Sequence, residues 1–363
     1  MADVSGRQIF SIAGKRSIRH ILCIGGTDRV TGLEPNCHHV NNTGDTGPDH
    51  SGTLVSVIMP SYNHAKYITQ AILSVVNQTH KNIELLIIDD GSNDGSPSTI
   101  EGVLSGIGRF NAELVVQENH GAHEAINRGI SMARGDYISI LNSDDYYYPD
   151  RLSRLLDKTL LDGYQFVFSK VDHVSPDGDL LGKENHLKSE YLSMYESIGE
   201  FPSIGFALLN YNLTVSTGNF FMRKSLIDKV GLFNNYKVVH DWDYVLRVLL
   251  QTEPCLVNEP LLGYRVHQGS ILARMLPLSA KECVSVIGNY FETMLETKSP
   301  NPLAPAPYNW PEYFDLFMRE YPKKNSLKLW DIIRLFHESR RVSHRMRVSV
   351  RQGDGTKWRR LDR

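Results

Sequence analysis

Hydrophobic and polar positions along the middle of this chain follow two alternating periods. Short runs dominated by apolar residues lie at Leu54 to Met59, Ile83 to Ile88, Leu114 to Val116 and Tyr137 to Leu141. Between them run longer segments of helical period, Ala65 to Asn77, a stretch after Asp90, and Ala122 to Ala133. The short runs have strand length and the long ones helix length. Repeated strand–helix units predict a parallel sheet covered on both faces, because each crossover must return over the sheet through a helix. The pattern therefore predicts an α/β fold with a Rossmann-like nucleotide-binding half over residues 53–146.

The strand endings carry the candidate chemistry. Tyr137 to Leu141 stops on Asn142-Ser143-Asp144-Asp145, and in an open α/β sheet the carboxyl ends of the strands form the ligand crevice. The first strand ends at Pro60-Ser61-Tyr62-Asn63, where proline removes a ladder donor. Tyr62 is then placed either to stack on a base or to cap the core beneath a loop. Leu85 to Ile88 runs into Asp89-Asp90-Gly91-Ser92. Turn chemistry alone explains such residues, but two strands that both end in paired acids gather four carboxylates at one edge. Their repulsion must be offset by a cation or by donors from a ligand.

No Gly-x-x-x-x-Gly-Lys-Ser/Thr occurs, and no Gly-x-Gly-x-x-Gly follows a strand, so a phosphate would be bound by other means. A divalent cation, Mn²⁺ or Mg²⁺, held by Asp145 against a diphosphate is the economical solution. On the segment from Gly121 to Ala133, Asn127 or Arg128 can reach the nucleotide, or remain on a solvated helix face.

Composition sets limits without choosing a function. The chain has 363 residues, 41% hydrophobic and 22% charged, with net charge −2, which describes an ordinary globular protein. No apolar stretch approaches the roughly 20 residues of a membrane span, and Lys15, Arg16 and Arg19 break any signal-peptide core, so the expected location is cytoplasmic. Cys23, Cys37, Cys255 and Cys283 show neither metal-ligand nor disulfide-framework spacing. Residues 1–52 read as a mobile arm. Pro300, Pro302, Pro305, Pro307 and Pro311 mark a linker or extended segment, and Leu329, Ile333 and Phe336 one amphipathic helix. From Arg334 to Arg363 ten basic residues face three acidic ones. That tail is either solvated or a peripheral contact with anionic membrane at its inner face.

Four segments together resemble the family 2 inverting glycosyltransferases of GT-A fold. They are Val55 to Asn63, Ile87 to Ser92, Asn127 to Tyr137 and Asn142 to Asp145. The resemblance covers about residues 54 to 270 and implies a mixed, mostly parallel sheet in a domain at 53–275. Within it the nucleotide-binding half, 53–146, precedes an acceptor half, 147–275, and a helical extension with a basic tail follows at 276–363. It implies that Pro60, Tyr62, Asp90, Asn127 and Asp144 bind the nucleotide and that Asp145 binds the metal, with Asn142 standing where many members carry Asp. A base is implied in Val239-His240-Asp241-Trp242-Asp243, where Asp241 takes the acceptor proton and His240 replaces the usual Glu. A helix N-cap is the rival role for Asp241, and Asp243 is the next alternative base. Gly263-Tyr264-Arg265-Val266-His267 is similar to the family's Tyr-Arg-x-His segment, which makes His267 a further metal ligand and Arg265 a diphosphate clamp. The implied reaction moves a sugar from a nucleotide diphosphate donor, a UDP-sugar, to a glycan or lipid-linked hydroxyl in polysaccharide or glycoconjugate biosynthesis. The alternatives are a sugar-1-phosphate nucleotidyltransferase or a catalytically silent sugar-nucleotide-binding protein.

Overall fold

A computed structural model describes residues 50–267 and 276–324. Nearly all of the arm expected at 1–52, the amphipathic helix expected around Leu329 to Phe336 and the basic tail lie outside the described residues.

The sheet has eight strands: β1 (Val55–Ser61), β2 (Ile83–Asp89), β3 (Ala112–Val116), β4 (Tyr137–Ile140), β5 (Tyr146–Tyr147), β6 (Phe166–Val174), β7 (Phe221–Arg223) and β8 (Cys255–Arg265), in the order β3-β2-β1-β4-β7-β6-β8-β5. The expected parallel half is β3-β2-β1-β4, where every pairing is parallel. Beyond β4 the sheet becomes mixed, since β7 runs antiparallel to both β4 and β6 while β6 and β8 are parallel.

Helices α1 (Ile68–Val76), α2 (Ser96–Gly106) and α3 (Ala122–Met132) carry the crossovers between the first four strands. Alternate residues of β1 feed opposite faces: Val55, Val57 and Met59 pack under α1 with Ile68 and Ile72, whereas Ile58 meets Ile126 and Ile130 of α3. Both faces are buried, which is why the strands read as nearly continuous apolar runs. At Gly129 a Cβ would run into Ile58, so only glycine lets α3 lie this close to β1. Buried Glu84 takes the backbone N–H and the Nε–H of Arg134, which ties the turn before β4 to β2.

The second half adds α4 (Arg151–Leu160), α5 (His186–Ser197), α6 (Ile204–Asn210), α7 (Lys224–Val230) and α8 (His240–Leu249). Two further helices follow, α9 (Leu276–Glu296) and α10 (Pro311–Lys324). Val286, Ile287, Tyr290 and Phe291 of α9 and Phe314 and Phe317 of α10 enter the same core cluster as Leu246 and Leu249 of α8. The described part of the extension is therefore packed into the domain across the expected boundary at 275. The segment expected to be a linker folds into turns with Asn301, Ala304 and Ala306 buried.

Candidate active site

The crevice opens at the carboxyl ends of β1, β2 and β4. Register puts Ser61 beside Asp89, and Asp90 N–H donates to Ser61 O at 2.8 Å, so the first two strand endings enter the crevice together. Pro60 lies within β1 opposite Ile88, beyond the Ile58 and Ile140 pair where β4 stops, so β1 continues through the proline on its β2 side alone. Tyr62 remains exposed at the rim. Asn63 has φ 56°, a left-handed conformation that asparagine tolerates. It donates its N–H to Ser92 Oγ and accepts Asn93 N–H on its side chain, each at 2.8 Å.

The Asp89-Asp90 pair accepts its donors from within the protein. Asp89 accepts Ser92 N–H at 2.8 Å and Ser92 Oγ–H at 2.7 Å, which closes its own turn. Buried Asp90 accepts Gln117 Nε2 (2.8 Å), His120 N–H (2.9 Å) and Gly121 N–H (2.7 Å), hooking the start of α3 onto the crevice.

Asp144 and Asp145 face different surroundings. Asp145 is 1% exposed and accepts Arg265 N–H at 2.8 Å. Burial, aided by the neighbouring Asp144 charge, holds its carboxyl well above the ordinary range. Asp144 opens to the crevice, with Oδ2 3.0 Å from His267 Nε2 and 3.8 Å from His64 Nε2. Burial pushes its carboxyl up, but His64 and His267 outweigh that and the net direction is down.

One ligand atom each from His64, Asp144 and His267 falls within 4.8 Å of the other two. Two imidazoles and a carboxylate suit a transition ion such as Mn²⁺ better than Mg²⁺, which prefers an all-oxygen shell. Ser143 Oγ lies 2.8 Å from His64 Nδ1 and leaves Nε2 to face Asp144, the outer-shell arrangement usual for a ligating histidine. Tyr67 packs at a tilt against His267, with centroids 5.2 Å apart, and also lies 6.2 Å from His64. Asp145, the metal ligand expected from the sequence, is not one of these three groups; Asp144 and His64 stand with His267 in the cluster.

Arg265, the expected diphosphate clamp, is held largely by the protein itself. Its guanidinium donates to Asp144 O (2.7 Å), Ser175 O (3.2 Å), Pro176 O (2.9 Å) and Gln70 Oε1 (2.6 Å), and the residue is 2% exposed. Four of its five N–H donors are engaged by the protein, and they fix the Asp144-Asp145 turn. Asn127 is also engaged elsewhere: its amide donates to Phe233 O at 3.0 Å and accepts Phe233 N–H at 2.8 Å, clamping the loop that leads to α8.

Asp241 lies in the first turn of α8, whose N-cap position is Val239, so a capping role does not account for it. Its carboxylate accepts Asn212 Nδ2 and Trp242 N–H, at 2.8 and 2.7 Å. Burial nevertheless pushes its carboxyl up to about 6. Asp243 accepts Arg247 Nη2 at 2.9 Å and Asn234 Nδ2 at 3.0 Å, a helix-stapling role. The segment between Asn212 and Thr217 links Asp241 to the end of β4: Asn212 Nδ2 donates to Asp241, and Thr217 Oγ1–H donates to Asn142 Oδ1 at 3.0 Å. His240 is held neutral by burial at about 4. His64, Tyr67 and Asn212 were not picked out from sequence. Only His64 gave a signal there, directly after Pro60-Ser61-Tyr62-Asn63.

The family model described as Glycosyl transferase family 2 matches residues 56–231. An uncharacterized glycosyltransferase of Rickettsia typhi is 30% identical over 227 residues, 59% of this chain and 64% of that protein. The glycosyltransferase GlyG of Streptococcus pneumoniae is 28% identical over 244 residues, 64% of this chain and 78% of the relative. The chain thus spans slightly less than two thirds of the Rickettsia relative's length. Among solved structures, S. aureus TarS 1–349 in complex with UDP-GlcNAc gives a TM-score of 0.52 at 19% identity, over 67% of each chain. The mannosyltransferase PcManGT of Pyrobaculum calidifontis, in complex with GDP-Man and Mn²⁺, gives 0.51 at 15% identity over 78% of this chain and 79% of that one. At these identities the two structures speak to the fold, which is of GT-A type.

Proposed function

Residues 56–231 of this chain belong to glycosyl transferase family 2, and from that premise we propose that the protein moves a sugar, with inversion, from a nucleotide diphosphate donor to a hydroxyl of a glycan or lipid-linked acceptor. The observation that carries the reading is a metal-competent triad, His64, Asp144 and His267, linked to a buried carboxylate of raised basicity, Asp241, through the Asn212 to Thr217 segment that bonds Asp241 at one end and Asn142 at the other. Inversion requires an acceptor hydroxyl in line with the bond that breaks, and a carboxylate within reach of that hydroxyl takes its proton as the new bond forms. An acid held near 6 is ionised at neutral pH yet more basic than an ordinary aspartate, which suits Asp241 to that task.

A UDP-sugar donor is favoured, in keeping with the UDP-GlcNAc held by TarS. At the far end of the crevice Tyr62 offers a face to the base and Pro60 shapes the strand end beneath it. Asp90 accepts three donors from the protein and keeps capacity for a base N–H. His64, Asp144 and His267 would hold Mn²⁺, which when bound offsets the charge that builds on the departing diphosphate. Arg265 and Asn127 act behind these groups, the first holding the Asp144 turn and the second the loop before Asp241.

The test is Asp241→Asn assayed with a panel of nucleotide sugars and Mn²⁺. Transfer should fall by about 10²- to 10⁴-fold, the usual weight of a general base, while calorimetric binding of UDP is kept. Turnover like that of the wild type would sink the assignment.

A further inference from the structure

Helix α9 reaches across to the loop that leads into α8 and places a carboxylate on it. Glu282 Oε1 accepts Lys237 N–H at 2.9 Å, and Oε2 accepts Val238 N–H at 2.9 Å and Val239 N–H at 3.2 Å. Three successive backbone donors converging on one anion form a concave nest. This nest immediately precedes α8, whose second residue is Asp241. The same loop is held from the opposite side by Asn127 at Phe233 and inside α8 by Asn234 on Asp243. Tyr236 OH adds contacts with Ser285 (3.2 Å) and Asn289 (3.0 Å) of α9.

We propose that Glu282 is a positioning residue for Asp241, fixing the start of α8 and, by its charge, countering the helix N-terminus that would otherwise make Asp241 a weaker base. The inference rests on the reading of Asp241 as the base, and it assigns part of the site to α9, which lies outside the segment matched by the family model. Two physical effects act together. The nest fixes three peptide planes directly before the helix, so the direction of the Asp241 side chain is set by α9 as well as by α8. In addition, the positive end of a helix dipole favours the ionised form of a carboxylate in its first turn, and a second negative charge at that end opposes it.

Asn212, on the loop after α6, donates to Asp241, and the Asp243 charge on its own helix adds to the upward push; the Asp241 charge in turn raises the phenols of Tyr191 on α5 and Tyr264 on β8 and the thiol of Cys283 beside Glu282 on α9. Of the α9 pair, Glu282 is the one that accepts the loop's N–H groups, while burial raises the Cys283 thiol above its ordinary range.

The experiment compares Glu282→Gln with the wild type in the full chain, using UDP-GlcNAc and Mn²⁺ as the probe and UDP release as the signal. Expected are a kcat about tenfold lower, a donor KM within about twofold, and an acid limb of kcat/KM moved down by about half a pH unit, the last as helix-terminus charge effects predict. Tyr236→Phe, which loosens the same loop without changing charge, should leave the limb in place. A second arm needs no turnover: the pH dependence of the melting-temperature difference between wild type and Asp241→Asn is measured with and without Glu282→Gln. Its midpoint should lie lower in the Gln background. An unmoved limb or midpoint, or an equal movement in Tyr236→Phe, overturns the proposal. If UDP-GlcNAc is not turned over, the donor reading fails and the thermal arm still decides. Should the Gln variant not fold, Glu282→Asp, which draws the charge back from the nest, must show the same downward movement, and its absence overturns the proposal.

Discussion

Asp145 accepts the backbone N–H of Arg265, while its neighbour Asp144 faces two imidazoles. One residue of offset along the chain thus separates a carboxylate that holds the turn from one that can hold a cation. Asp144→Asn should weaken Mn²⁺ binding by at least about tenfold, read by calorimetry in the presence of UDP, with melting temperature nearly kept. Asp145→Ala should instead cost about 1–3 kcal/mol of stability, because it strands the Arg265 N–H in a buried site. Equal metal affinity in the Asp144 variant would return the cation to Asp145. The paired acids at the end of β4 were legible in the sequence because strand period and abrupt charge are local signals. Their division was not, since Arg265 arrives on β8, far along the chain, and decides which oxygen stays accessible. Asp241 was legible only through resemblance; its burial by Asn212 and Trp242 is tertiary.

At the level of elements, the strand and helix periods gave the β3-β2-β1-β4 half because its packing is layered and local: β1, β2 and β4 are covered on both faces, and only the edge strand β3 is left half-buried. The second half carried weaker signals, since β5 and β7 have two and three residues. The proline cluster from 300 to 311 reads as punctuation by local chemistry. Yet Asn301 Nδ2 donates to Leu249 O at 2.8 Å and Ser299 Oγ–H to Leu250 O at 2.6 Å, which fastens the segment to the end of α8. Phe206 of α6 sits at the centre of this joint, with ring centroids 5.5 Å from Trp310, 5.1 Å from Tyr313 and 5.0 Å from Phe317. Phe206→Ala should therefore cost about 3–5 kcal/mol in urea unfolding, the usual cost of deleting a buried ring. A loss near zero would mean that α10 contributes nothing to the fold.

Across the whole molecule, the joint between the sheet domain and its last helices contains a half-buried acid that couples stability to pH. Glu253 accepts Gly205 N–H at 2.8 Å at the start of α6 and lies 3.4 Å from Asn301 Nδ2, so it touches both sides of the joint. Burial, working against these donors, pushes its carboxyl up to about 7 from an ordinary 4.5. Below pH 4.5 the group is protonated whether the chain is folded or not, and it adds no pH dependence there. Between 4.5 and about 7 the folded state keeps a proton that the unfolded state releases, so stability falls as pH rises. The loss is on the order of 3 kcal/mol and is complete above about pH 7.5. Asp241, raised to about 6, adds a slope of the same sign at lower pH, so the Glu253 share has to be taken as a difference between proteins. Glu253→Gln cannot release a proton, so its urea midpoint relative to the wild type should climb between pH 5 and pH 8 and level off beyond. Parallel curves for the two proteins over that range would show that the joint carries no proton-linked strain.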